Sequence, residues 1–460
     1  MINKIPAEVI NICKKITDKG FKTYLVGGSV RDLILERGVK DWDITTEAKP
    51  EEIVKLFEEA FYDNEFGTVG IPAEIEGKDH VIEITTFRTE VSFSPSHKPE
   101  KISWGKTIEE DLSRRDFTIN AIALSIGFKD GKTEEKIIDP YKGKEDIENK
   151  ILKAVGDPNL RFKEDALRLL RAIRIATELQ FKIEEKTWKK IKEDANLITH
   201  ISGERIKTEL LRILGNKNAY EGVLLLKDSG LLAIIIPELM EGVGVSQARP
   251  GRHHTEDVFT HNILSLKYCP SDKSLVKFAA LLHDVGKPRV ASKDNEGLVI
   301  FHNHEVVGAK MAKEISERLR FSNKEKEKVE TLIRWHMFSV NENQTDSAIR
   351  RFIRKVGVEN VEDMMDLRIG DRLGGGTQTA ESWRLKLFRK KVEEQLKPAP
   401  YSINDMAING NDIMKELNIK PGPLIGKILN ELFEETDEDL SKNKREYLLN
   451  RAKTLYEVSK

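Results

Sequence analysis

The sequence is poor in cysteine and has no long apolar run. Its 460 residues include two cysteines, Cys13 and Cys269, too few for a disulfide framework or for a zinc site built from thiolates. No stretch of about 18 apolar residues occurs, which excludes a membrane-spanning helix. A net charge of -1, from 76 basic and 77 acidic residues, excludes a basic nucleic-acid-binding coat over the whole surface, but not a local basic stripe.

What is present is the composition of a folded, multidomain protein. Hydrophobic residues make up 39% and charged residues 33% of the chain, which is enough for several packed cores. The length is typical of about three domains. Residues 1–20 predict an amphipathic helix that carries lysines, rather than a cleavable apolar segment. We therefore expect a soluble, cytoplasmic protein.

The hydrophobic periodicity divides the chain near residue 150. Before this point, short apolar runs alternate with helical patterns, which predicts an α+β fold with a small mixed sheet. The expected strands are 22–26, 41–45, 68–75 and 80–87, and the expected helices are 5–17, 29–37 and 50–60. From residue 159 the period is 3.6, which predicts helices almost to the end. A Gly- and Pro-rich stretch at 237–252 and three glycines at 374–376 mark further boundaries.

A Gly-Gly turn follows the first expected strand. Gly27, Gly28 and Ser29 precede a helix that carries Arg31. Glycines let backbone amides approach an anion closely, and the helix N-terminus adds positive potential. By itself this pattern fits an ordinary turn as well as a phosphate-binding loop.

Two aspartates lie close together on the next expected strand. Because side chains alternate along a strand, Asp41 and Asp43 share one face and Trp42 lies on the other. Neighbouring carboxylates repel each other unless a cation neutralises them, and Mg²⁺ binds carboxylates together with substrate phosphates. Glu83, on a later strand, is a third acid that would lie beside the pair. The alternative is a turn aspartate and a solvated edge acid, but the order of Gly-Gly, arginine and paired aspartates favours metal-assisted attack on a phosphoryl group.

Four segments in the first 180 residues resemble the motifs of a single superfamily. They are LVGGSVRDLILERGVKDWDITT (25–46), DLSRRDFTINAIAL (111–124), DPYKGKEDI (139–147) and RFKEDALRLLRAIRIA (161–176). In this order they resemble the class II tRNA nucleotidyltransferase and bacterial poly(A) polymerase superfamily. The resemblance implies that CCA is added to the tRNA 3′ end from CTP and ATP. An A-adding or CC-adding specialist and a poly(A) polymerase are the alternatives within the superfamily.

The resemblance also implies roles for individual residues. Asp41 and Asp43 would hold Mg²⁺, and Glu83 would complete the catalytic acids. The implied nucleotide-binding residues are Gly27, Gly28, Ser29, Arg31, Arg114, Arg115, Asp116, Asn120, Glu164, Asp165, Arg168, Arg171 and Arg174. Among them, Glu164, Asp165 and Arg168 would act as a protein template that selects CTP and then ATP.

The last of the four segments can also be interpreted from its spacing. Asp165 and Arg168 are three apart on an expected helix, so an acceptor and a forked donor lie side by side and can face the edge of a base. An ordinary surface ion pair is the alternative. Arg168, Arg171 and Arg174 recur every three residues, which predicts a basic ridge that faces either nucleic-acid phosphates or solvent.

A polar stretch between Glu83 and the Arg-Arg-Asp segment bears on which nucleotides are added. In the superfamily, a full-length loop here accompanies addition of the terminal A. Residues 89–107 are of full length, which favours a CCA adder or an A adder. The sequence Phe-Ser-Pro-Ser-His at 93–97 departs from the usual pattern of that loop.

Histidines are concentrated in the second half of the chain. Seven of the ten lie between His253 and His336. Imidazoles and carboxylates from several helices are a common ligand set for transition metals, although any one of them alone is more often a structural residue. This density of imidazoles without cysteine predicts a mononuclear or dinuclear hydrolytic metal site.

The order of these residues resembles the HD-superfamily phosphohydrolase domain. The matching ligands are His261, His283, Asp284, His304, His336 and Asp371. Of these, His304 and His336 resemble the additional ligands of two-metal members. The resemblance implies a divalent transition metal and hydrolysis of phosphoesters, including 2′,3′-cyclic phosphates. His253, His254 and His302 receive no role.

These observations predict four regions. They are a nucleotidyltransferase head (1–150), a helical neck that selects nucleotides and binds RNA (151–240), an HD metal phosphohydrolase domain (241–376) and a helical tRNA-binding tail (377–460). The tail resembles the C-terminal part of bacterial CCA-adding enzymes. A metal phosphohydrolase with an inactive, RNA-binding head, and a tRNA-binding protein without chemistry, are the alternatives of another class.

Overall fold

The computed structural model of the chain consists of two compact units. The residues it describes are 1–63, 67–93, 99–129, 132–247, 257–396 and 403–458. Unit 1 comprises Met1–Glu241 and Ile315–Ser322, and unit 2 comprises Gly242–Glu314 and Asn323–Lys460. A small mixed sheet in unit 1 is followed by helices, which confirms the predicted α+β class. None of the helices within the described ranges has both the length and the hydropathy that a membrane crossing needs.

The N-terminal part of unit 1 is built on β-strands. They are β1 (Thr23–Val26), β2 (Asp43–Thr46), β3 (Phe61–Asp63), β4 (Thr68–Ile75), β5 (Lys78–Thr86), β6 (Arg88–Phe93), β7 (Pro99–Trp104), β8 (Ala123–Lys129) and β9 (Lys132–Ile138). Strands β6 and β7 pair with each other, and the other seven form one sheet in the order β3-β4-β5-β2-β1-β8-β9. Strands β2 and β5 run parallel, and the other neighbours in this sheet run antiparallel.

Strand β2 lies at the centre of this sheet. Its residues Ile44, Thr45 and Thr46 are all buried, and these β-branched side chains suit a strand that is covered on both faces. The strand begins at Asp43, two residues later than predicted, so Asp41 precedes it. Its parallel pairing with β5 places Asp43, the first residue of β2, opposite Glu83, the sixth residue of β5.

Short helices surround the sheet. They are α1 (Ala7–Thr17), α2 (Gly28–Ile34), α3 (Pro50–Leu56), α4 (Ile108–Ser113) and α5 (Gly143–Glu148). Helix α1 buries Val9, Ile12, Cys13 and Ile16, whose spacing of three and four residues makes one apolar stripe. Helix α2 ends earlier than predicted, and Glu36 just beyond it has a positive φ of 54°, a conformation that does not continue a helix.

The rest of unit 1 is mainly helical, as the change of period predicts. The helices are α6 (Pro158–Glu164), α7 (Leu167–Leu179), α8 (Glu185–Glu193), α9 (Gly203–Leu214), α10 (Ala219–Asp228), α11 (Leu231–Ile235) and α12 (Pro237–Met240), and β10 (Ile151–Leu152) pairs with β11 (Lys182–Ile183). Helix α7 packs against α9 and α10. Leu170 and Ile173 on α7 and Leu210 and Ile213 on α9 are fully buried, so the predicted apolar faces do form this core.

In its described residues, unit 2 is helical apart from one short hairpin of β12 (Ser292–Lys293) and β13 (Val299–Ile300) and an isolated bridge between Ser246 and Asp257. Its helices are α13 (Val258–Tyr268), α14 (Ser274–Leu282), α15 (Lys287–Val290), α16 (His304–Arg318), α17 (Asn323–Trp335), α18 (Asp346–Val356), α19 (Val361–Gly374), α20 (Trp383–Leu396), α21 (Gly410–Leu417), α22 (Pro423–Glu438) and α23 (Arg445–Val458). Helix α13 packs closely on α19 because Gly370 and Gly374 have no side chains. A Cβ on either glycine would lie 2.5 Å from atoms of Ser265. This close approach brings Asp371 on α19 beside His261 on α13.

Candidate functional site

Residues from several of the unit 1 segments meet in one cleft of about 320 Å³. The lining residues are Val26, Asp43, Glu83, Thr85, Arg114, Arg115, Asp116, Asp165, Leu167, Arg168, Arg171 and Arg205. They come from β1, β2, β5, the end of α4 and the helical part of the unit. The fold thus places paired acids and a set of arginines, which are far apart in sequence, around one cleft.

The acids lie side by side on the neighbouring inner strands β2 and β5. Asp43 is the direct parallel-strand partner of Glu83, as the sequence predicts. Burial raises the pKa of Asp43 to about 6; the Arg115 guanidinium opposes this rise, and the carboxylates of Glu83 and Asp41 add to it. Asp41 is exposed just before β2. Neighbouring carboxylates of this kind fit a divalent cation, because it removes the repulsion between them.

Gly27 allows the turn to lie close to both the Arg115 guanidinium and the Asp43 carboxylate. Its φ is +74°, and a Cβ at this position would lie 2.9 Å from Nη1 of Arg115 and 3.5 Å from Oδ2 of Asp43. A side chain would therefore be strained and would also fill the space between arginine and aspartate. Gly28 follows as the first residue of α2.

Ser29 and Arg31 are engaged in hydrogen bonds within the turn and helix. The buried Ser29 hydroxyl donates to the Val26 carbonyl oxygen at 2.8 Å. Arg31 donates from Nε to Asp32 at 2.9 Å and from Nη1 to Asn120 Oδ1 at 2.8 Å. These bonds stabilise the turn, and the expected contacts of both side chains with phosphates stay predictions.

A buried acid that the sequence analysis did not single out holds two of the cleft arginines. Asp111 Oδ1 accepts a hydrogen bond from Arg114 Nη2 at 2.7 Å, and its Oδ2 accepts one from Arg115 Nη2 at 2.9 Å. Burial works against the charged form of Asp111, but the two guanidiniums keep its pKa below the ordinary value. The signal in the sequence was the spacing of three and four residues from Asp111 to the arginines.

A second buried acid holds Arg171. Asp116 Oδ2 accepts from Arg171 Nε at 2.8 Å and lies 2.7 Å from its Nη2, and Asp116 Oδ1 accepts from the Asn120 amide at 3.1 Å. Although burial opposes it, Arg171 and Asn120 keep the pKa of Asp116 below its ordinary value. Asn120 therefore links Arg31 to the acid that orients Arg171.

Asp165 is not on a helix, which corrects the argument from spacing. It ends α6 with an extended backbone, φ -147°, and α7 starts two residues later. Its Oδ1 accepts from the Leu167 backbone N–H at 3.0 Å, and its Oδ2 accepts from Arg205 Nη2 at 2.9 Å. Arg205 lies on α9, and no local pattern in the sequence indicates this partner.

Arg168 lies at the start of α7 and also lines the cleft. Its Nη1 donates to Glu164 Oε2 at 2.7 Å, and its Nη2 donates to the Arg114 backbone carbonyl at 2.7 Å. The alternative interpretation of an ion pair between Asp165 and Arg168 is therefore wrong, because each side chain has a different partner. Both nevertheless face the same cleft.

The predicted basic ridge is not formed as a whole. Arg174 is buried; its Nε donates to Glu209 at 2.6 Å, and its Nη1 donates to both oxygens of Glu178 at 2.9 and 3.0 Å. Three residues of a helix rotate by about 300°, which is about 60° short of a full turn. Arg174 lies six residues after Arg168, so it points about 120° away from it. It thus packs inside the unit and faces neither solvent nor the cleft.

The six predicted HD ligands of unit 2 also meet. Asp284 lies between two groups of imidazoles: its Oδ2 is 3.3 Å from Nε2 of both His261 and His283, and its Oδ1 is 3.2 Å from Nε2 of His304 and 3.7 Å from Nε2 of His336. Asp371 Oδ1 joins the first group, 3.3 Å from His261 Nε2 and 3.6 Å from His283 Nε2. The ligand atoms of His261, His283 and Asp371 lie within 4.8 Å of one another, and so do those of His283, Asp284 and His336.

Backbone carbonyls set the direction of three of these imidazoles. Nδ1 of His283, His304 and His336 lies 2.9, 2.8 and 2.7 Å from the carbonyl oxygen three residues earlier in each case. Because a carbonyl oxygen can only accept a hydrogen bond, the neutral ring carries its hydrogen on Nδ1. The lone pair of Nε2 then faces the cluster. Such an arrangement fits one or two divalent transition metal ions.

The carboxylates of the cluster attract positive charge. Burial opposes a charged ring at His283, but the carboxylates of Asp284 and Asp371 outweigh it and raise the pKa of His283 to about 10. Two cations that the sequence analysis did not predict lie beside the carboxylates: Lys287 Nζ is 2.5 Å from Asp284 Oδ2, and Arg368 Nη1 is 3.1 Å from Asp371 Oδ2. Metal binding requires neutral imidazoles, so a divalent ion would take the place of the proton on His283 between the same carboxylates.

Some predicted features receive no structural test. His253 and His254 and residues 94–97 of the polar loop lie outside the described residues. His302 is exposed and is not among the clustered ligands.

Comparisons with known proteins agree with this division into sites. The Poly A polymerase head domain matches residues 23–153, a probable RNA and SrmB-binding site of polymerase A matches 180–242, and the HD domain matches 251–374. The CCA-adding enzyme of Pediococcus pentosaceus is 31% identical over 440 residues, which are 95% of each chain. The A-adding tRNA nucleotidyltransferase of Deinococcus radiodurans is 34% identical over 340 residues, 71% of this chain and 75% of that protein.

A solved structure has the same fold over almost the whole length. The CCA-adding enzyme of Bacillus stearothermophilus, in complex with CTP, is 25% identical, covers 98% of each chain and has a TM-score of 0.67. Identity above 30% along nearly the full length of a relative, with matching head and HD domains, establishes common descent. The chain belongs to the CCA-adding enzyme family of tRNA nucleotidyltransferases.

Proposed function

We propose that this chain adds CCA to the 3′ end of tRNA, without a nucleic-acid template, from CTP and ATP. The observation that carries the proposal is the cleft in which the Asp43–Glu83 pair lies opposite five arginines. Carboxylates suit a metal ion, and guanidiniums suit a triphosphate and a tRNA end. The Pediococcus pentosaceus and Bacillus stearothermophilus relatives are both CCA-adding enzymes.

Asp41 and Asp43 would hold Mg²⁺, which activates the 3′ hydroxyl and neutralises charge on the triphosphate. The 3′ hydroxyl gives its proton to water, and its oxygen forms a bond to the α-phosphorus. The bond between the α-phosphorus and the oxygen that bridges to the β-phosphorus breaks, and pyrophosphate leaves. Arg114 and Arg115, which Asp111 keeps in place, stabilise the negative charge of the triphosphate. Glu83 adds carboxylate charge beside Asp43 and so strengthens cation binding.

Glu164, Asp165 and Arg168 would select the base. An ionised carboxylate accepts hydrogen bonds, and a guanidinium donates them, so together they complement a base edge that has both a donor and an acceptor. Arg171, held by Asp116, adds positive charge to the same cleft. Gly27, Gly28, Ser29, Arg31 and Asn120 would shape the phosphate-binding turn.

For unit 2 we infer a metal-dependent phosphohydrolase site. His261, His283, Asp284 and Asp371 would hold one divalent transition metal ion, and His304 and His336 a second one that shares Asp284; such ions activate water and polarise phosphoryl oxygens. Lys287 and Arg368 would bind the phosphate of the substrate. Phosphoesters at tRNA ends, including 2′,3′-cyclic phosphates, are the substrate class, because their hydrolysis restores an end that the head can extend.

The four predicted regions describe the division of labour. The head (1–150) would catalyse transfer, the neck (151–240) select nucleotides, the HD domain (241–376) hydrolyse phosphoesters, and the tail (377–460) bind tRNA. The cytoplasm is the compartment where tRNA, CTP and ATP meet.

The test is nucleotide addition to tRNA that ends at its discriminator base and to tRNA that ends in CC. Reactions contain Mg²⁺ with CTP, ATP or both. Addition of three nucleotides, with no further extension, is the expected result. The similarity to the Deinococcus radiodurans A-adding enzyme makes an A-adding specialist the second candidate, for which only A would be added and only to the CC end. Two C without A, a long A tail, or no addition would each contradict CCA synthesis.

A further inference from the structure

Arg205 reaches the cleft from α9, which lies outside the predicted nucleotide-selecting segment (161–176). It lies on α9, lines the cleft, and donates from Nη2 to Asp165 Oδ2 at 2.9 Å. The other oxygen of Asp165 accepts from the Leu167 backbone N–H at 3.0 Å. The two donors hold both oxygens of Asp165, so its carboxylate has one set direction in the cleft.

Within the described part of the chain, Arg205 is the one side chain that hydrogen-bonds to Asp165. Arg168 lies on the neighbouring helical turn, but its donors contact Glu164 and the backbone carbonyls of Arg114 and Arg161. The direction of Asp165 therefore depends on α9, although all the predicted base-selecting residues lie between 164 and 168.

The direction of this carboxylate matters for the base. Cytosine and adenine carry an amino group, a hydrogen-bond donor, where uracil and guanine carry a carbonyl oxygen. An ionised carboxylate accepts from the amino group and repels the carbonyl oxygen. It can discriminate in this way only if it is held at one position, since a mobile carboxylate can turn away from the wrong base.

We propose that Arg205 is a positioning residue that sets nucleotide specificity by orienting Asp165. The proposal rests on the proposed function, because it assigns the incoming base to Asp165. Arg205 selects amino-bearing bases in both the C-adding and the A-adding steps, because the same carboxylate reads both. Removing it weakens discrimination more than it weakens catalysis of the correct step.

The experiment compares wild type with Arg205→Ala, Arg205→Lys and Arg212→Ala. Arg212 is a matched control: it lies seven residues later on the same face of α9, and its Nε lies 3.9 Å from Oε1 of Glu178. For each protein, kcat/KM is measured for CTP and UTP on tRNA ending at the discriminator base, and for ATP and GTP on tRNA ending in CC. The ratio within one preparation is independent of the folded fraction.

The expected result is a fall in both discrimination ratios by about 10- to 100-fold in Arg205→Ala, the effect of losing one hydrogen bond to a charged group. Arg205→Lys should recover part of the loss, because it retains the charge without the fork, and Arg212→Ala should match wild type. Unchanged ratios in Arg205→Ala, or an equal loss for all four nucleotides, would overturn the role of Arg205 alone. A wild type that adds neither C nor A would refute the proposed function as well.

Discussion

The cleft of unit 1 and the histidine cluster of unit 2 differ in how their proposed metal-binding side chains are arranged. In the cleft, the neighbouring acids repel each other, and burial raises the pKa of Asp43 to about 6. In the cluster, six side chains already converge, and backbone carbonyls orient three of the imidazoles. The acids of the first site therefore repel each other in the absence of a cation, whereas the ligand atoms of the second site are already grouped together.

The positively charged side chains of the two sites also differ in which acids hold them. Arg114, Arg115 and Arg171 are each held by a buried acid, so their positions are set before any substrate binds. In the cluster, Lys287 and Arg368 contact Asp284 and Asp371, the carboxylates that we propose as metal ligands. In unit 2 the same two acids would thus serve metal and cationic side chains, whereas in unit 1 the acids that hold the arginines are separate from the proposed metal ligands.

The largest effect is expected from Asp43→Asn. An amide cannot replace the carboxylate beside Glu83, so the rate of nucleotide addition should fall by about 1,000-fold or more, equivalent to several kcal/mol of lost metal stabilisation. Single-turnover addition of C to tRNA measures it. Glu47→Gln is the control, since this half-buried acid lies just beyond the same strand and accepts only from the Lys22 backbone N–H at 2.9 Å among the described contacts. Equal activity of the two variants would remove Asp43 from catalysis.

The second effect tests whether the cluster is preformed. Asp284→Asn removes the shared ligand, and metal affinity should fall by about 100-fold or more, because even outer partners of metal ligands contribute 10- to 100-fold. Metal content after dialysis against a defined concentration of Mn²⁺ or Zn²⁺ is the readout. The exposed residue His302 supplies the control, His302→Gln, which should keep its metal. Retention of two ions by Asp284→Asn would contradict the shared-ligand geometry.

The third effect concerns the acids that hold the arginines. Asp111→Asn leaves two guanidiniums around a neutral group that is fully buried, so the free energy of unfolding should decrease by about 3 kcal/mol. Urea unfolding measures it. Glu36→Gln, which breaks an exposed ion pair with Lys4, should leave stability unchanged. A stable Asp111→Asn variant would mean that these arginines do not depend on the acid.

The last prediction involves no change of activity and uses one cysteine in each unit. Burial raises the pKa of Cys13 to about 12 and that of Cys269 to about 11. Since thiolate forms only as the pH approaches these values, labelling at pH 8 should be about 1,000-fold and 100-fold slower, respectively, than for an ordinary thiol. Alkylation followed by mass spectrometry at increasing urea concentration then reports the unfolding of each unit. Rapid labelling of either thiol without urea would contradict its burial.

Patterns within one element predicted much of the fold and the ligand sets. The strand pattern around Glu83 predicted that this acid lies beside Asp43, which the register confirms. The alternation argument for Asp41 and Asp43 is not confirmed, because Asp41 precedes β2. The α+β class followed from the change of period near residue 150. The spacing of His283 and Asp284 after an apolar helix likewise indicated a cluster that the structure assembles.

Contacts between distant elements were not predictable. Arg174 has the same spacing as Arg168 and Arg171 but is buried against Glu209 on α9, and a helical pattern contains no information about which helix packs on it. Arg205 reaches Asp165 for the same reason. The break between α6 and α7 was also missed, because the residues around Asp165 include no glycine or proline that would indicate a turn.

The most direct test of the account is a reciprocal assay of both activities in Asp43→Asn and Asp284→Asn. Each folded variant is given tRNA ending at the discriminator base with CTP and ATP, and tRNA ending in a 2′,3′-cyclic phosphate with a divalent transition metal. We predict that Asp43→Asn loses addition and keeps hydrolysis, and that Asp284→Asn loses hydrolysis and keeps addition. Loss of both activities in either folded variant would contradict two chemically separate sites on one chain.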